Sequence, residues 1–284
     1  MIGGTGVRTV DDCRIAYRRA GTDGPPVVLL HGAGVDDATV SWRHTIGALA
    51  DADFRVYAPD WPGYGNSDNG VTHDIDSYVD VLESFLDVLG DESPILVGIS
   101  MGGGVALGYA LRHPERVRAL CLVDSYGLGD RIPAGPLWRA TAQIPGANAL
   151  GWAAMGYSTD LTRLALGTIV ADASALPADF VHDVYASARE PGAGLAFEAF
   201  QRNELGPRGR PRTDFSDRLG EVSAPTLFVH GRADPLFPVE WSKRAASRVP
   251  DAELRVLPKC GHWPPRERPE PFNDALQTYL EDQR

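Results

Sequence analysis

Six short apolar runs constrain this chain more than any other feature: Val27 to Leu30, Phe54 to Ala58, Ile95 to Ile99, Val117 to Val123, Thr226 to Val229 and Leu254 to Leu257. Each is four to seven residues long and stops at a polar residue or a proline. Nearly continuous apolar runs of that length read as strands buried on both faces, as in a parallel sheet. Amphipathic stretches lie between them: Ile75 to Leu89, Met101 to Arg112, Val239 to Arg248 and Pro269 to Tyr279. Strands alternating with helices predict an α/β fold, a mostly parallel twisted sheet flanked by helices. Val7 to Val10 and Arg14 to Arg18 read as an antiparallel hairpin at the sheet edge, and the glycine-rich stretch Met1 to Gly6 before it as a loose tail.

The alternation stops between about Tyr126 and Ala224. Helical patterns fill that stretch (Leu137 to Gln143, Asp160 to Val170, Asp179 to Ser187, Leu195 to Asn203), broken by glycine and proline. A helical insert between two sheet strands reads as a cap over the strand ends. The expected division is a core of residues 1–125 and 225–284 and a helical cap, or lid, of residues 126–224. The arginine-rich run Gly206 to Arg212 reads as a flexible, solvated exit from the cap.

The chemistry starts at Gly98-Ile99-Ser100-Met101-Gly102. G-x-S-x-G alone is a weak signal, but here a buried strand runs into it and a helix pattern runs out of it. A serine at the tip of so sharp a turn needs small neighbours, because flanking side chains would collide. A serine hydroxyl also needs a base, and the base an orienting carboxylate. Of seven histidines, His262 stands on the loop after the last strand, at the carboxyl edge of the sheet where Ser100 also lies. Asp234, just after Thr226 to Val229, is the expected acid; Asp124, at the end of Val117 to Val123, is the other candidate. The order Ser100, Asp234, His262 favours Asp234. The backbone N–H groups of Met101 and Ala33 are the expected oxyanion donors. His31 reads as a buttress of the loop that holds Ala33.

Composition removes other classes. The net charge of −11 argues against binding nucleic acid or an anionic membrane surface. No apolar run is long enough to span a bilayer and no signal peptide is evident, so a cytoplasmic protein is expected. Cys13, Cys121 and Cys260 are scattered like reduced thiols. No metal or cofactor motif appears, so neither is expected. Only two lysines and an excess of aspartate (26) over glutamate (12) fit salt adaptation or a GC-rich genome equally well. A homo-oligomer stays open.

The chain resembles the α/β-hydrolase superfamily over essentially its whole length, through His31-Gly32-Ala33-Gly34, Asp60 to Ser67, Gly98 to Gly103, His113 to Val117, His230 to Pro238 and Cys260 to Trp263. The resemblance implies a structural role for Asp60. It is closest to the branch of meta-cleavage-product C–C hydrolases and related esterases, through Ser100 to Gly103 and Lys259 to Trp263. Two departures from the C–C hydrolases stand out: Ala33-Gly34-Val35-Asp36 replaces a Gly-Pro-Gly continuation, and Ile99 replaces a polar residue. They rank a carboxylic ester hydrolase first, working through an acyl-serine on a small to medium apolar ester. A C–C hydrolase comes second, with lactonase, thioesterase and cofactor-free perhydrolase chemistry on the same triad. A non-catalytic relative that binds a small ligand is the remote reading. The pocket is expected between sheet and insert, with Trp42, Ile99, Phe237 and Trp263 on one side and Trp138, Trp152, Met155, Phe197 and Phe200 on the other.

Overall fold

The computed structural model describes residues 4–90, 93–144 and 146–284. Eight strands form one sheet: β1 (Gly4–Val10), β2 (Cys13–Ala20), β3 (Pro26–Leu30), β4 (Arg55–Pro59), β5 (Ile95–Ile99), β6 (Ala119–Val123), β7 (Thr226–Gly231) and β8 (Ala252–Leu257). Their spatial order is β1-β2-β4-β3-β5-β6-β7-β8. The β1–β2 and β2–β4 pairs are antiparallel, and every pair from β4 to β8 is parallel. Every residue of β3, β5, β6 and β7 is buried, as continuous apolar runs require of central strands. Strand β8 differs from expectation: it is a sheet edge, and its residues alternate between partly buried and exposed up to the buried Leu257. The loose tail also needs correcting. Gly4 to Gly6 pair with Arg19 to Tyr17 in β1–β2, while Met1 to Gly3 lie outside the described residues.

Helices α1 (Ala38–Asp51), α2 (Ile75–Leu89) and α3 (Met101–Arg112) follow β3, β4 and β5. The periodicity did not single out α1. Its start is set by Asp37, whose carboxylate accepts the N–H groups of Thr39 and Val40. Helix α2 turns Ile75, Tyr78, Val79, Leu82, Phe85 and Leu86 inward and ends at Gly90, in the left-handed conformation. Each such side chain contributes about 2 kcal/mol by leaving water.

Among the described residues five short α-helices come between β6 and β7: α4 (Gly135–Ala142), α5 (Ala147–Met155), α6 (Thr159–Leu166), α7 (Ala178–Ser187) and α8 (Leu195–Glu204). Helix α5 was not expected. The Gly206 to Arg212 run is a tight reversal, with the Gly206 N–H donating to the Arg210 carbonyl at 2.8 Å and Leu205 bridging Pro211. After β7 come α9 (Val239–Ala246), α10 (Pro264–Glu267) and α11 (Pro269–Glu281). Asp183 of α7 ties the insert down: Arg43 Nε of α1 reaches it at 2.6 Å and the fully buried Arg266 of α10 at 3.0 Å. Both arginines pair with the one carboxylate, which offsets the cost of burying these charges.

Candidate active site

Ser100 stands between β5 and α3 with φ 52° and ψ −119°, a strained backbone for a residue with a side chain. Backbone hydrogen bonds hold the turn. Its N–H donates to the Val123 carbonyl at 2.9 Å, and its carbonyl accepts the N–H groups of Gly103 at 3.0 Å, Gly104 at 3.1 Å and Tyr126 at 3.0 Å. The glycines are steric necessities. A Cβ on Gly98 would lie 2.3 Å from the Gly102 carbonyl oxygen, and one on Gly102 2.2 Å from that of Leu30. The turn thus presses α3 against both β5 and the end of β3.

The loop after β3 runs beside the serine: a Cβ on Gly32 would come within 3.2 Å of Ser100 Cβ. Ala33 and Met101 line the same cavity as Ser100. Among the described residues, neither of their backbone N–H groups has a protein acceptor. For Met101 this follows from its place at the start of a helix. The loop is fixed from behind by Asp36, whose buried carboxylate accepts the Gly32 N–H at 2.7 Å and the Ser41 hydroxyl at 2.8 Å. Burial pushes the Asp36 carboxyl well above its usual range, although its hydrogen bonds oppose the rise. His31 is fully buried. Its Nδ1 donates to the Gly32 carbonyl at 2.8 Å and its Nε2 accepts the Trp61 N–H at 2.9 Å. Burial lowers its pKa to about 3, so it is a neutral strut. Asp60 accepts the Ala38 N–H at 2.9 Å and the Asn66 N–H at 3.0 Å, joining α1 to the loop after β4.

The other two candidates meet. His262 Nδ1 donates to Asp234 Oδ2 at 2.8 Å, and the second Asp234 oxygen accepts the Leu236 N–H at 2.7 Å. Burial pushes the Asp234 carboxyl up, but His262, His230 and the Leu236 N–H together carry it below its usual range. The donor at Nδ1 leaves Nε2 as the lone-pair nitrogen of the neutral ring. His262 and Ser100 line one cavity, yet among the described residues no hydrogen bond joins Ser100 Oγ to Nε2. Such contacts commonly tighten only when a substrate is bound. Among the described residues no hydrogen bond joins Asp124 to His262; its Oδ1 accepts the Gly231 N–H at 3.0 Å.

Two residues that sequence reasoning missed set this geometry. Glu267 of α10 accepts the N–H groups of Gly261 at 2.9 Å and Trp263 at 3.0 Å, one on each side of His262, and of Ala171 in the insert at 2.8 Å. The His262 N–H itself donates to the Ile169 carbonyl at 2.9 Å. Asp36 is the other. Its neighbour Ser41 also accepts the Trp263 indole N–H at 2.9 Å, which links the Ala33 loop to the His262 loop. Asp36-Asp37 ahead of an apolar stretch carried a helix-start signal; nothing local marked Glu267.

The cavity holds about 280 Å³. Its floor is Ser100, His262 and the Ala33 loop, and much of its wall comes from the insert, including Trp138, Trp152, Met155 and Phe197. Ile99, Phe237, Trp263 and Phe200 line it as expected, but Trp42 does not. Trp42 is fully buried on α1 against Phe272 of α11, in the core on the far side.

A sequence model of the α/β hydrolase fold matches residues 25–269. A relative from Comamonas testosteroni, a 2-hydroxy-6-oxononadienedioate/2-hydroxy-6-oxononatrienedioate hydrolase, is 33% identical over 94% of this chain and 91% of its own. A 2-hydroxy-6-oxo-6-phenylhexa-2,4-dienoate hydrolase from Burkholderia cepacia is 32% identical over 94% and 91%. The solved meta-cleavage product hydrolase of Pseudomonas fluorescens IP01 superposes with a TM-score of 0.83 at 28% identity, over 100% of this chain and 99% of the other. These relatives overturn the ranking of a carboxylic ester hydrolase first, which leaned on two positions. The divergent loop is held by Asp36 rather than left open, and Ile99 is one apolar wall residue among many. No helix among the described residues is long and apolar enough to cross a membrane.

Proposed function

The chain belongs to the α/β hydrolase fold family and is a hydrolase of the serine type, and from that premise we propose that it cleaves a carbon–carbon bond in a 2-hydroxy-6-oxo-dienoate. The observation that carries this reading is the cavity itself: one polar floor carrying Ser100 and His262 under an apolar roof, in a chain similar to such hydrolases from end to end. Ser100 is the nucleophile, His262 its base and Asp234 the residue that holds the base. Residues 126–224 are the cap.

The chemistry balances as follows. In the keto tautomer C5 carries two hydrogens, and a double bond joins C3 and C4 beside the C2 carbonyl. The Ser100 hydroxyl gives its proton to His262 and attacks the C6 carbonyl. The Ala33 and Met101 N–H groups hold the oxyanion; one such donor is worth about 3 kcal/mol. The C5–C6 bond breaks, and its electron pair delocalises from C5 to the C2 oxygen. The leaving dienolate takes a proton from His262. Water, deprotonated by His262, then releases the acyl group from Ser100 as a carboxylic acid.

Among the described residues lining the cavity there is no lysine or arginine. The C1 carboxylate that all these substrates carry already meets no cation in this lining, and a second carboxylate on the far side of C6 would add a further uncompensated charge. The C6 substituent is therefore an aryl or alkyl group. The test follows the loss of the dienol chromophore with purified protein. The 6-phenyl dienoate should turn over with kcat/KM at least about tenfold above the nonadienedioate, a difference near 1.4 kcal/mol. Preference for the dioate would overturn the apolar assignment, and turnover of neither would overturn the function.

A further inference from the structure

Behind the Asp234–His262 pair lies a second buried acid that the mechanism above does not use. Asp124 ends β6 with φ 39° and is wholly buried. Its Oδ1 accepts the Gly231 N–H at 3.0 Å; its Oδ2 is buried with no hydrogen-bond partner among the described residues. Oxygen and nitrogen atoms of Asp124, His230 and Asp234 lie within 4.8 Å of one another. An orphaned carboxylate oxygen beside a second carboxylate is among the costliest arrangements a protein interior can hold.

His230 does not reach the orphaned oxygen. Its Nδ1 is 2.8 Å from the Ser242 hydroxyl and its Nε2 3.1 Å from the Phe237 carbonyl, which only an N–H can approach. Nε2 thus carries a hydrogen, which faces the Phe237 carbonyl, Asp124 Oδ1 at 3.2 Å and Asp234 Oδ2 at 3.6 Å, and leaves Nδ1 able to accept the Ser242 hydroxyl hydrogen. Burial lowers its pKa, in the same sense. The other groups around Asp124 are Asp234, Glu267 and Cys260; the first two are acids and the third is a buried thiol. No cation faces it. Burial first, then the Asp234 carboxylate, push the Asp124 carboxyl well above its ordinary range.

We propose that Asp124 is a positioning residue that keeps its proton on Oδ2 and donates it to the Asp234 carboxylate, so that the acid pair carries one negative charge and sets the basicity of His262. This rests on the reading of Asp234 and His262 as the acid and base. A neutral donor draws charge from Asp234 and weakens its hold on the imidazolium. Removing the donor therefore raises the pKa of His262, whereas removing an ionised Asp124 would lower it.

That sign is the test, and it needs no substrate. The His262 ring is titrated by NMR in protein with isotope-labelled histidine, its signal assigned by loss in His262→Gln. Asp124→Ala should raise the His262 pKa by about one unit, a tenfold change in proton affinity. Asp124→Asn, whose amide can make the same donation, should restore it to within a few tenths of a unit. A fall in both variants, or no change in either, overturns the proposal. Infrared difference spectra give a second reading should Asp124→Ala fail to fold. Wild type minus Asp124→Asn at neutral pH should show the carbonyl stretch of a protonated carboxylic acid, and a carboxylate band instead overturns it. A His262 pKa that moves only on adding zinc or a chelator would reassign Asp124, His230 and Asp234 to a cation and also overturn it. Loss of dienoate turnover with the titration as expected would fault the function instead.

Discussion

The carboxyl edge of the sheet and the helices inserted over it are built in opposite ways. At the edge, positions are forced by backbone contact: Ser100 has positive φ, and Gly98 and Gly102 each abut a carbonyl oxygen too closely for any side chain. The inserted helices are only eight to ten residues long, and α5 has no fully buried residue. Of nine exposed large apolar side chains among the described residues, seven (Leu137, Ile144, Leu150, Tyr157, Leu161, Leu164 and Leu195) lie there. One region fixes the positions of Ser100 and His262 and the other supplies an apolar wall whose details can change at small cost to the fold. The contrast predicts that substitutions at the edge abolish turnover or stability, while those in the insert reset preference.

Ser100→Ala is the strongest attempt to break that contrast. Turnover of the 6-phenyl dienoate should fall by about 10⁴-fold or more, with no loss of melting temperature. Retained turnover would mean that the edge does not carry the chemistry. Next in size is Gly102→Val, whose Cβ meets the Leu30 carbonyl. Urea unfolding should show a loss of about 3 kcal/mol or more, and a stable variant would show the turn to be less constrained than its contacts imply.

Glu267→Gln probes the join between the regions. An amide nitrogen would face N–H groups that now point at a carboxylate, so stability should drop by about 2 kcal/mol. Because two of those N–H groups flank His262, kcat should fall by about tenfold while KM moves little. The smallest effect belongs to the insert. Phe197→Ala should lower kcat/KM for the 6-phenyl substrate by about tenfold and leave the dioate nearly unchanged, at constant melting temperature. Equal losses on both substrates would remove the insert from the setting of preference.

The same contrast explains what could be read before any coordinates. The strands and the serine turn were legible because glycine sterics and buried apolar runs are local properties. The meeting of Asp234 and His262 could be expected from chain order and position, but not their distance from Ser100. Trp42 was misassigned because nothing in its neighbourhood reveals which face of α1 meets the pocket and which meets Phe272. Helix α5 escaped because a helix without a buried stripe has weak periodicity. Glu267 and the proton of Asp124 were out of reach, since both depend on segments that meet only in three dimensions.

The bonds at Ile169, Ala171 and Asp183 have a consequence for how a molecule gets in. They moor the second half of the insert to the His262 loop, α1 and α10. Lifting this part of the insert would pull the backbone away from either side of the His262 ring. Helices α4 and α5 are fastened as well, through Arg139 to Leu205, Arg202 to Ala142 and Asn148 to Gln201, and α8 in turn reaches the Ile75 N–H through Glu204, so an entering molecule meets a wall braced on both flanks.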